Sequence, residues 1–162
     1  MFRTKNQLLT LSPEHWATAN GASSCAARKG LAIDAAEKEM ALAAGAIIPE
    51  DKFALHDFEF PGEFYGDIKS TKGKWVSMSM REFEFAFELY KKGIELFYVL
   101  YEQCNQLNDY LYLGCVSFRM IYARSLFKTS QFYVPTKQPD GSWKDEQSMY
   151  FEVAKSMPYW EK

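Results

Sequence analysis

The chain has 162 residues, of which 48% are hydrophobic and 25% are charged, and its net charge is −2. This composition excludes intrinsic disorder, collagen and coiled coils, and the length suits one domain with or without an appendage. No apolar run approaches the roughly 20 residues that a membrane-spanning helix requires. The net charge gives the chain no basic footprint, so any affinity for nucleic acid would depend on a local patch.

The cysteines and the N-terminus favour a cytoplasmic protein. Cys25, Cys104 and Cys115 form no C-x-x-C pair, which predicts reduced thiols rather than disulfides. With only two histidines in addition, the chain offers little for a structural zinc site. No apolar stretch follows Arg3 and Lys5, so we expect no secretory signal.

Capping residues and turn residues divide the chain into predicted elements. In chain order these are a helix start at Ser12 and Pro13, a helix over 23–44 with Gly45 as its C-cap, strands over 53–58, 64–71 and 75–78, a helix from 80 to about 92 with the capping box Ser79/Glu82, and a strand over 96–101. Beyond Cys104 the pattern predicts a strand or strand pair over 110–121, a short helix over 123–128 and a turn over 138–141.

The order of these elements predicts an α/β fold with a central mixed sheet flanked by helices. A helix, a three-strand meander, a capped helix and a further strand imply a parallel crossover on that sheet. We divide the chain into a lead-in over 1–22, a core over 23–104 and an extension over 105–162 that packs on the core. The role of the extension is open at this point.

One hairpin of the predicted core carries the residues most suited to chemistry. Asp57 ends one predicted strand, and Asp67 lies on the next strand beyond the turn at Pro61 and Gly62. Asp67 and Lys69 are two residues apart, so their side chains share one face of the strand. Two carboxylates can hold a Mg²⁺ ion that activates water against a phosphodiester, and an adjacent ammonium can orient that water or offset developing charge.

This pattern resembles the PD-(D/E)XK nuclease superfamily, in which an acid is followed by Asp or Glu, any residue and Lys on the neighbouring strand. Asp57 would be the first acid, Asp67 the second and Lys69 the lysine. The ten-residue step between the acids is similar to that of phage endonuclease I type junction resolvases. That family also carries an acid on the preceding helix, and either Asp34 or Glu37 could occupy its place. The resemblance covers about residues 30–101.

The resemblance implies a restriction-endonuclease-like fold and metal-dependent cleavage of DNA. Asp57, Asp67 and the carbonyl of Ile68 would hold Mg²⁺, for which Mn²⁺ would substitute. Such nucleases often pair two active sites, so the resemblance also implies a homodimer. A phage-encoded, structure-selective enzyme acting in the host cytoplasm is a further expectation from the same resemblance.

Basic and hydroxyl side chains after the hairpin are candidates for contacts with DNA phosphates. These are Lys72, Lys74, Ser77 and Arg81, in a run that contains no acidic residue between Lys69 and Arg81. The alternative is that the hairpin charges form a solvated face with an incidental ion pair. The chain would then be a non-catalytic nucleic-acid-binding or structural protein that retains the nuclease fold.

Overall fold

The computed structural model describes residues 4, 6–20, 25–51, 54–104 and 108–156, without the side chains of 25–27. In this part of the chain the strands are β1 Leu8–Thr10, β2 Phe58–Phe60, β3 Phe64–Thr71, β4 Trp75–Met78, β5 Glu95–Gln103, β6 Asp109–Ser117, β7 Lys128–Lys137 and β8 Trp143–Glu152. The helices are α1 Pro13–Ala17, α2 Cys25–Ala43, α3 Met80–Lys91, α4 Phe118–Ala123 and α5 Val153–Ser156. None of the described helices is long and apolar enough to cross a bilayer.

Two sheets organise these elements. The larger has the order β1-β6-β5-β3-β2, and it is mixed because β3 and β5 run parallel while its other neighbours are antiparallel. The smaller, β4-β8-β7, is antiparallel. The predicted α/β class and the parallel crossover, which leads from β3 through β4 and α3 to β5, are therefore confirmed.

The predicted three-strand meander is wrong, because β4 leaves the sheet that contains β2 and β3. Val76 of β4 is opposite Phe151 of β8 in the smaller sheet, and Val76 and Met78 are buried on its inner face. This pairing buries both side chains in the core that includes Ala86 and Leu89 of α3, which stabilises the position of β4.

The larger sheet separates two hydrophobic cores. Alternation along β5 sends Val99 and Tyr101 into the core beneath α2, whereas Tyr98 and Leu100 enter the core shared with α3, α4 and the smaller sheet. On β3 the same alternation places Ile68 in the α2 core. Asp67 and Lys69 therefore project from the opposite face, toward α3.

Helix ends follow the predicted signals closely. Gly45 has a φ of +93° after α2, and the Ala46 N–H donates to Ala41 while the Gly45 N–H donates to Leu42, as in a Schellman cap. At the start of α3, the Ser79 hydroxyl and the Glu82 carboxylate bind each other's backbone N–H. Both predicted caps are confirmed.

Two local predictions fail, and one strand was missed. The strand over 53–58 is wrong because residues 55–57 form a bend and β2 begins at Phe58; Phe53 lies outside the described residues. The short helix over 123–128 is wrong because Ser117 caps a helix that already ends at Ala123. The lead-in also contains a strand, β1, which pairs with β6 and was not predicted.

The smaller sheet ends in a hairpin that extends away from both cores. Strands β7 and β8 are ten residues each and are joined at the predicted turn, where Gly141 has a φ of +88°. Four large hydrophobic side chains of this hairpin are exposed to solvent, namely Phe132, Tyr133, Val134 and Trp143. Strand β7 is at the edge of its sheet.

Candidate functional site

Asp57 lies where the pairing of β2 with β3 stops. The last paired residues are Phe58 and Gly66, and the Asp57 N–H donates to the Gly66 carbonyl at 2.8 Å. Two residues further along β3, the Ile68 N–H donates to Asp57 Oδ2 at 2.6 Å. The Asp57 carboxylate thus takes the place of a neighbouring strand at Ile68. Because the N–H and C=O of one strand residue point to the same side, the Ile68 carbonyl faces this open edge as well.

Gly66 permits the close pairing that brings Asp57 to this edge. The Phe58 ring lies directly over Gly66, and a Cβ at that position would stand 2.2 Å from the nearest ring carbon. Phe58 is fully buried. Only glycine at position 66 therefore allows the ring to pack this close to the strand. Asp57 immediately precedes Phe58, so the same contact positions Asp57 at the edge of β3.

Three carboxyl groups meet at this point. Asp34 of α2 and Asp67 of β3 each lie within hydrogen-bonding reach of Asp57. Burial, and next the neighbouring charge of Asp57, raise the pKa of Asp34 well above its ordinary value. Burial also raises the pKa of Asp67 well above its ordinary value, since it outweighs the opposing effect of Lys69. Lys38 Nζ lies 3.7 Å from Asp57 Oδ1 and offsets part of this negative charge.

Lys69 connects the acidic cluster to the start of α3. Its Nζ lies 3.4 Å from Asp67 Oδ2 and 2.7 Å from Glu82 Oε1. Burial alone would lower the pKa of Lys69, but Asp67 and Glu82 outweigh burial and raise it well above the ordinary value. The Lys69 ammonium therefore stays charged at neutral pH, as a cation and hydrogen-bond donor.

The interpretation of these charges as a solvated hairpin face is wrong. The side chains of Asp67 and Lys69 are only 7% and 13% exposed. An incidental surface pair would leave both side chains in water, whereas these two are packed between β3 and α3 with further charges around them.

Glu37, the other candidate for the helix acid, does not join this cluster. Its side chain is fully buried in the core beneath α2 and accepts a hydrogen bond from the Tyr101 hydroxyl. Of the two helix acids, the structure brings Asp34 to Asp57. Glu37 is three residues further along α2, and there the helix surface faces the strands of the sheet rather than its open edge.

The four predicted DNA-contacting residues lie at separate places around α3 and the smaller sheet. Lys72 lies in the exposed connection after β3, and the ammonium of Lys74 is 5.5 Å from the centre of the Trp75 ring. Ser77 is exposed on β4 beside Trp75, and Arg81 Nη1 donates to the Lys137 carbonyl at 3.3 Å. Arg81 thus ties the start of α3 to the long hairpin.

Asp57 is the member of the cluster that lies within hydrogen-bonding reach of both Asp34 and Asp67. Nowhere among the described residues do three His, Cys, Asp or Glu side chains converge as ready-made ligands of a single ion. The oxygen atoms present nevertheless fit a hard cation that takes only a few of its ligands from the protein. Mg²⁺ keeps several waters and accepts one or two carboxylates, and Asp57, Asp67 and the Ile68 carbonyl supply oxygens of that kind at one edge.

Two residues of the site were missed in the sequence. Lys38, which pairs with Asp57, is four residues after Asp34 and so lies on the same side of α2; that spacing was the available signal. Glu82 was predicted only as a capping residue, yet its second oxygen also binds Lys69. No local pattern indicates that pairing, since it depends on how α3 packs against β3.

Comparisons of the chain with protein-family models, with curated proteins and with solved structures find no match. The function must therefore be argued from the geometry of this cluster.

Proposed function

We propose that the chain is a Mg²⁺-dependent DNA endonuclease with the restriction-endonuclease-like fold, whose site consists of Asp57, Asp67, Lys69 and Asp34. The observation that carries this proposal is the cluster of three carboxyl groups, of which Asp67 is buried and Asp34 and Asp57 are half-buried, beside a charged lysine at an open strand edge. Burying like charges together costs stability, so a cluster of this kind is typical of functional sites.

The residues of the cluster have distinct roles in this proposal. Asp57, Asp67 and the Ile68 carbonyl would hold Mg²⁺, which when bound polarises a phosphate oxygen and makes a water more acidic. Asp34 lies behind Asp57 and orients its carboxylate. Lys69 remains protonated beside Asp67, so it stabilises the negative charge that develops on the phosphate rather than accepting a proton.

The proposal extends to the partners and location of the protein. DNA is the macromolecular substrate, and Lys72, Lys74, Ser77 and Arg81 are the candidates for phosphate contacts. A homodimer would bring two such sites to one duplex. Activity on branched DNA, a phage origin and a place in the host cytoplasm follow from the resemblance to junction resolvases.

The competing candidate is a non-catalytic DNA-binding or structural protein. One observation favours it: Lys38 and Lys69 already offset much of the acidic charge, and Glu82 holds the Lys69 ammonium at 2.7 Å. A network of this kind is also found where charges only stabilise a fold. This candidate predicts that no divalent ion changes the behaviour of the protein toward DNA.

Cleavage of supercoiled plasmid and of branched DNA separates the two candidates. With Mg²⁺ or Mn²⁺ we expect nicking by the native protein and none with a chelator. In Asp67→Asn and Lys69→Ala we expect the rate to fall at least about 100-fold, since each loses a group that acts in the transition state. Glu84→Gln, an exposed acid on α3, is the matched control and keeps the native rate.

Folding of each variant is checked by circular dichroism, because Lys69→Ala leaves buried acids without a partner. Asp67→Asn keeps the shape of the side chain and removes a source of repulsion, so it tests the site even where Lys69→Ala unfolds. Equal cleavage by native protein and Asp67→Asn would contradict the proposed site. No cleavage of any DNA by the folded native protein would favour the non-catalytic candidate.

A further inference from the structure

A polar cleft of about 260 Å³ opens where β3 and β5 end, next to the proposed catalytic site. The described residues that line it come from α2, β3, the connection after β3, β5 and β6, and they are Lys29, Ser70, Thr71, Lys72, Gln103 and Tyr110. The first of these on β3, Ser70, directly follows Lys69. Side chains alternate along a strand, so Ser70 points to the α2 side of the sheet while Lys69 points toward α3. The cleft is therefore on the same side of the sheet as Asp34, the member of the cluster that α2 supplies.

The lining of this cleft suits an anion. Its described residues contribute two ammonium groups, hydroxyl groups and an amide, and no carboxylate is among them. Lys29 Nζ donates to Gln103 Oε1 at 3.3 Å, which holds this ammonium at the cleft while leaving further N–H donors for a ligand. Lysine ammonium groups of this kind are common phosphate ligands.

The position of the cleft matches a nucleic-acid strand that passes the catalytic cluster. No described strand pairs with the outer edge of β3 beyond Gly66. From Asp67 to Thr71 this edge therefore has no neighbouring strand among the described residues, and at Ile68 it binds the Asp57 carboxylate. A strand rises about 3.3 Å per residue, which places Thr71 about 7 Å beyond Lys69. One nucleic-acid strand rises about 3.4 Å per nucleotide along the duplex axis, and neighbouring phosphates lie farther apart than this because the backbone winds around the axis. The distance therefore corresponds to about one or two nucleotides.

We propose that this cleft binds a backbone phosphate about one or two nucleotides from the bond that is cut, with Lys29 and Lys72 as its cationic ligands. This inference depends on the proposed nuclease function for the identity of the ligand. With a volume of about 260 Å³, the cleft accommodates a phosphate group with part of its hydration. Lys29 approaches from α2 and Lys72 from the connection after β3, so the phosphate would be held from two sides.

The test compares the native protein with the double variant Lys29→Ala/Lys72→Ala. DNA binding is measured by fluorescence anisotropy in chelator over a series of salt concentrations. We expect Kd to rise at least about tenfold, and the slope of log K against log salt to decrease by about 2, one for each lysine. In the cleavage assay we expect KM to rise while kcat stays within about twofold, because neither lysine contacts the reacting phosphate.

Lys91→Ala/Lys92→Ala is the matched control, since both lysines are exposed at the far end of α3. This variant has the same net charge as the test variant, and we expect native affinity and a native salt slope. Equal losses in both double variants would mean that only overall charge matters, and this would overturn the inference. So would native binding and native KM in Lys29→Ala/Lys72→Ala.

Inorganic phosphate separates failure of this inference from failure of the nuclease proposal. We expect phosphate to raise the Tm of the native protein and of the control variant but not of Lys29→Ala/Lys72→Ala. A native protein that cleaves no DNA but shows this pattern would refute the nuclease while supporting the anion cleft. Absence of any phosphate effect on the native protein, together with native KM in the test variant, would overturn the cleft and leave the nuclease standing.

Discussion

Asp34 and Asp67 are the residues at which stability and the proposed function make opposite demands. The raised pKa values of Asp34 and Asp67 mean that ionising them costs more in the folded protein than in the unfolded chain. Glu82 shows the reverse: burial would raise its pKa, but Lys69 and the Ser79 N–H together lower it. The ionised forms of Asp34 and Asp67 are thus destabilised, while the ionised form of Glu82, which anchors α3, is stabilised.

The substitution Asp34→Asn tests this opposition. We expect it to raise the free energy of unfolding in chelator near pH 7 by about 1 kcal/mol, because it removes an ionisable group next to Asp57 without changing the side-chain shape. We expect it also to slow DNA cleavage. Urea unfolding measures the first effect and plasmid nicking the second. A less stable Asp34→Asn protein would show that the carboxylate is structural.

The pH dependence of the same variant gives an independent test with a definite sign. Between the ordinary value of 3.8 and its raised pKa, Asp34 holds a proton in the folded protein that it lacks in the unfolded chain. Stability contributed by that proton is complete below about pH 4 and is lost as pH rises. The advantage of Asp34→Asn should therefore vanish near pH 4 and grow toward neutral pH. An advantage independent of pH would exclude this explanation.

At the scale of elements, the pairing of β2 with β3 determines the position of Asp57 relative to Asp67. The Phe58 ring on Gly66 and the Asp57 carboxylate on the Ile68 N–H are adjacent features of one short ladder. Their combination ends the pairing early and leaves the rest of the β3 edge open. A longer β2 would cover this edge and the Ile68 carbonyl with it.

The substitution Gly66→Ala should disrupt this ladder. A methyl group 2.2 Å from the Phe58 ring forces the ring or the strand to move, and we expect a loss of about 2 kcal/mol in unfolding free energy together with slower cleavage. Gly73→Ala is the control because a Cβ there meets nothing within 4 Å. In a double-mutant cycle with Phe58→Leu, the loss should be less than additive. Additive losses would mean that the ring is not the cause.

At the scale of the whole molecule, the β7–β8 hairpin is the surface that most needs a partner. Exposed Phe132, Tyr133, Val134 and Trp143 cluster there. Among the described strands β7 has a neighbour on one side only, so its other side is an edge that a further strand could join. An antiparallel pair of two identical β7 strands is self-complementary about a twofold axis. This strand is therefore where we expect the proposed homodimer to form.

Light scattering over a dilution series measures the proposed association. We expect the native protein to have twice the mass of the chain and Phe132→Lys to dissociate at concentrations at least about tenfold higher than the native protein does. Leu42→Lys, which changes another exposed apolar side chain, on α2, should leave the mass unchanged. A native monomer at all concentrations, or dissociation by Leu42→Lys alone, would contradict β7 as the interface.

Local signals in the sequence were sufficient for much of the fold. The bounds of β3 and β4, both helix caps of the core and the parallel crossover were predicted, because each depends on turn residues, caps or alternation within a few positions. Predictions failed where the structure of a segment depends on a contact with residues outside that segment. Strand β2 starts late because Asp57 binds Ile68 with its side chain, and β4 joins a second sheet because β8, more than sixty residues later, covers it.

For the candidate site, the sequence by itself determined that Asp57 lies on a segment next to the strand of Asp67 and Lys69. One tight turn at Pro61 and Gly62 separates the two segments. The sequence could not choose between Asp34 and Glu37, which lie three residues apart on one helix. Only the tertiary structure decided that choice, because the way α2 packs on the sheet turns Glu37 toward Tyr101 and Asp34 toward Asp57. Burial of the cluster and the pairing of Lys69 with Glu82 were likewise decided by packing, since charge and solvent exclusion depend on neighbours that are distant in the chain.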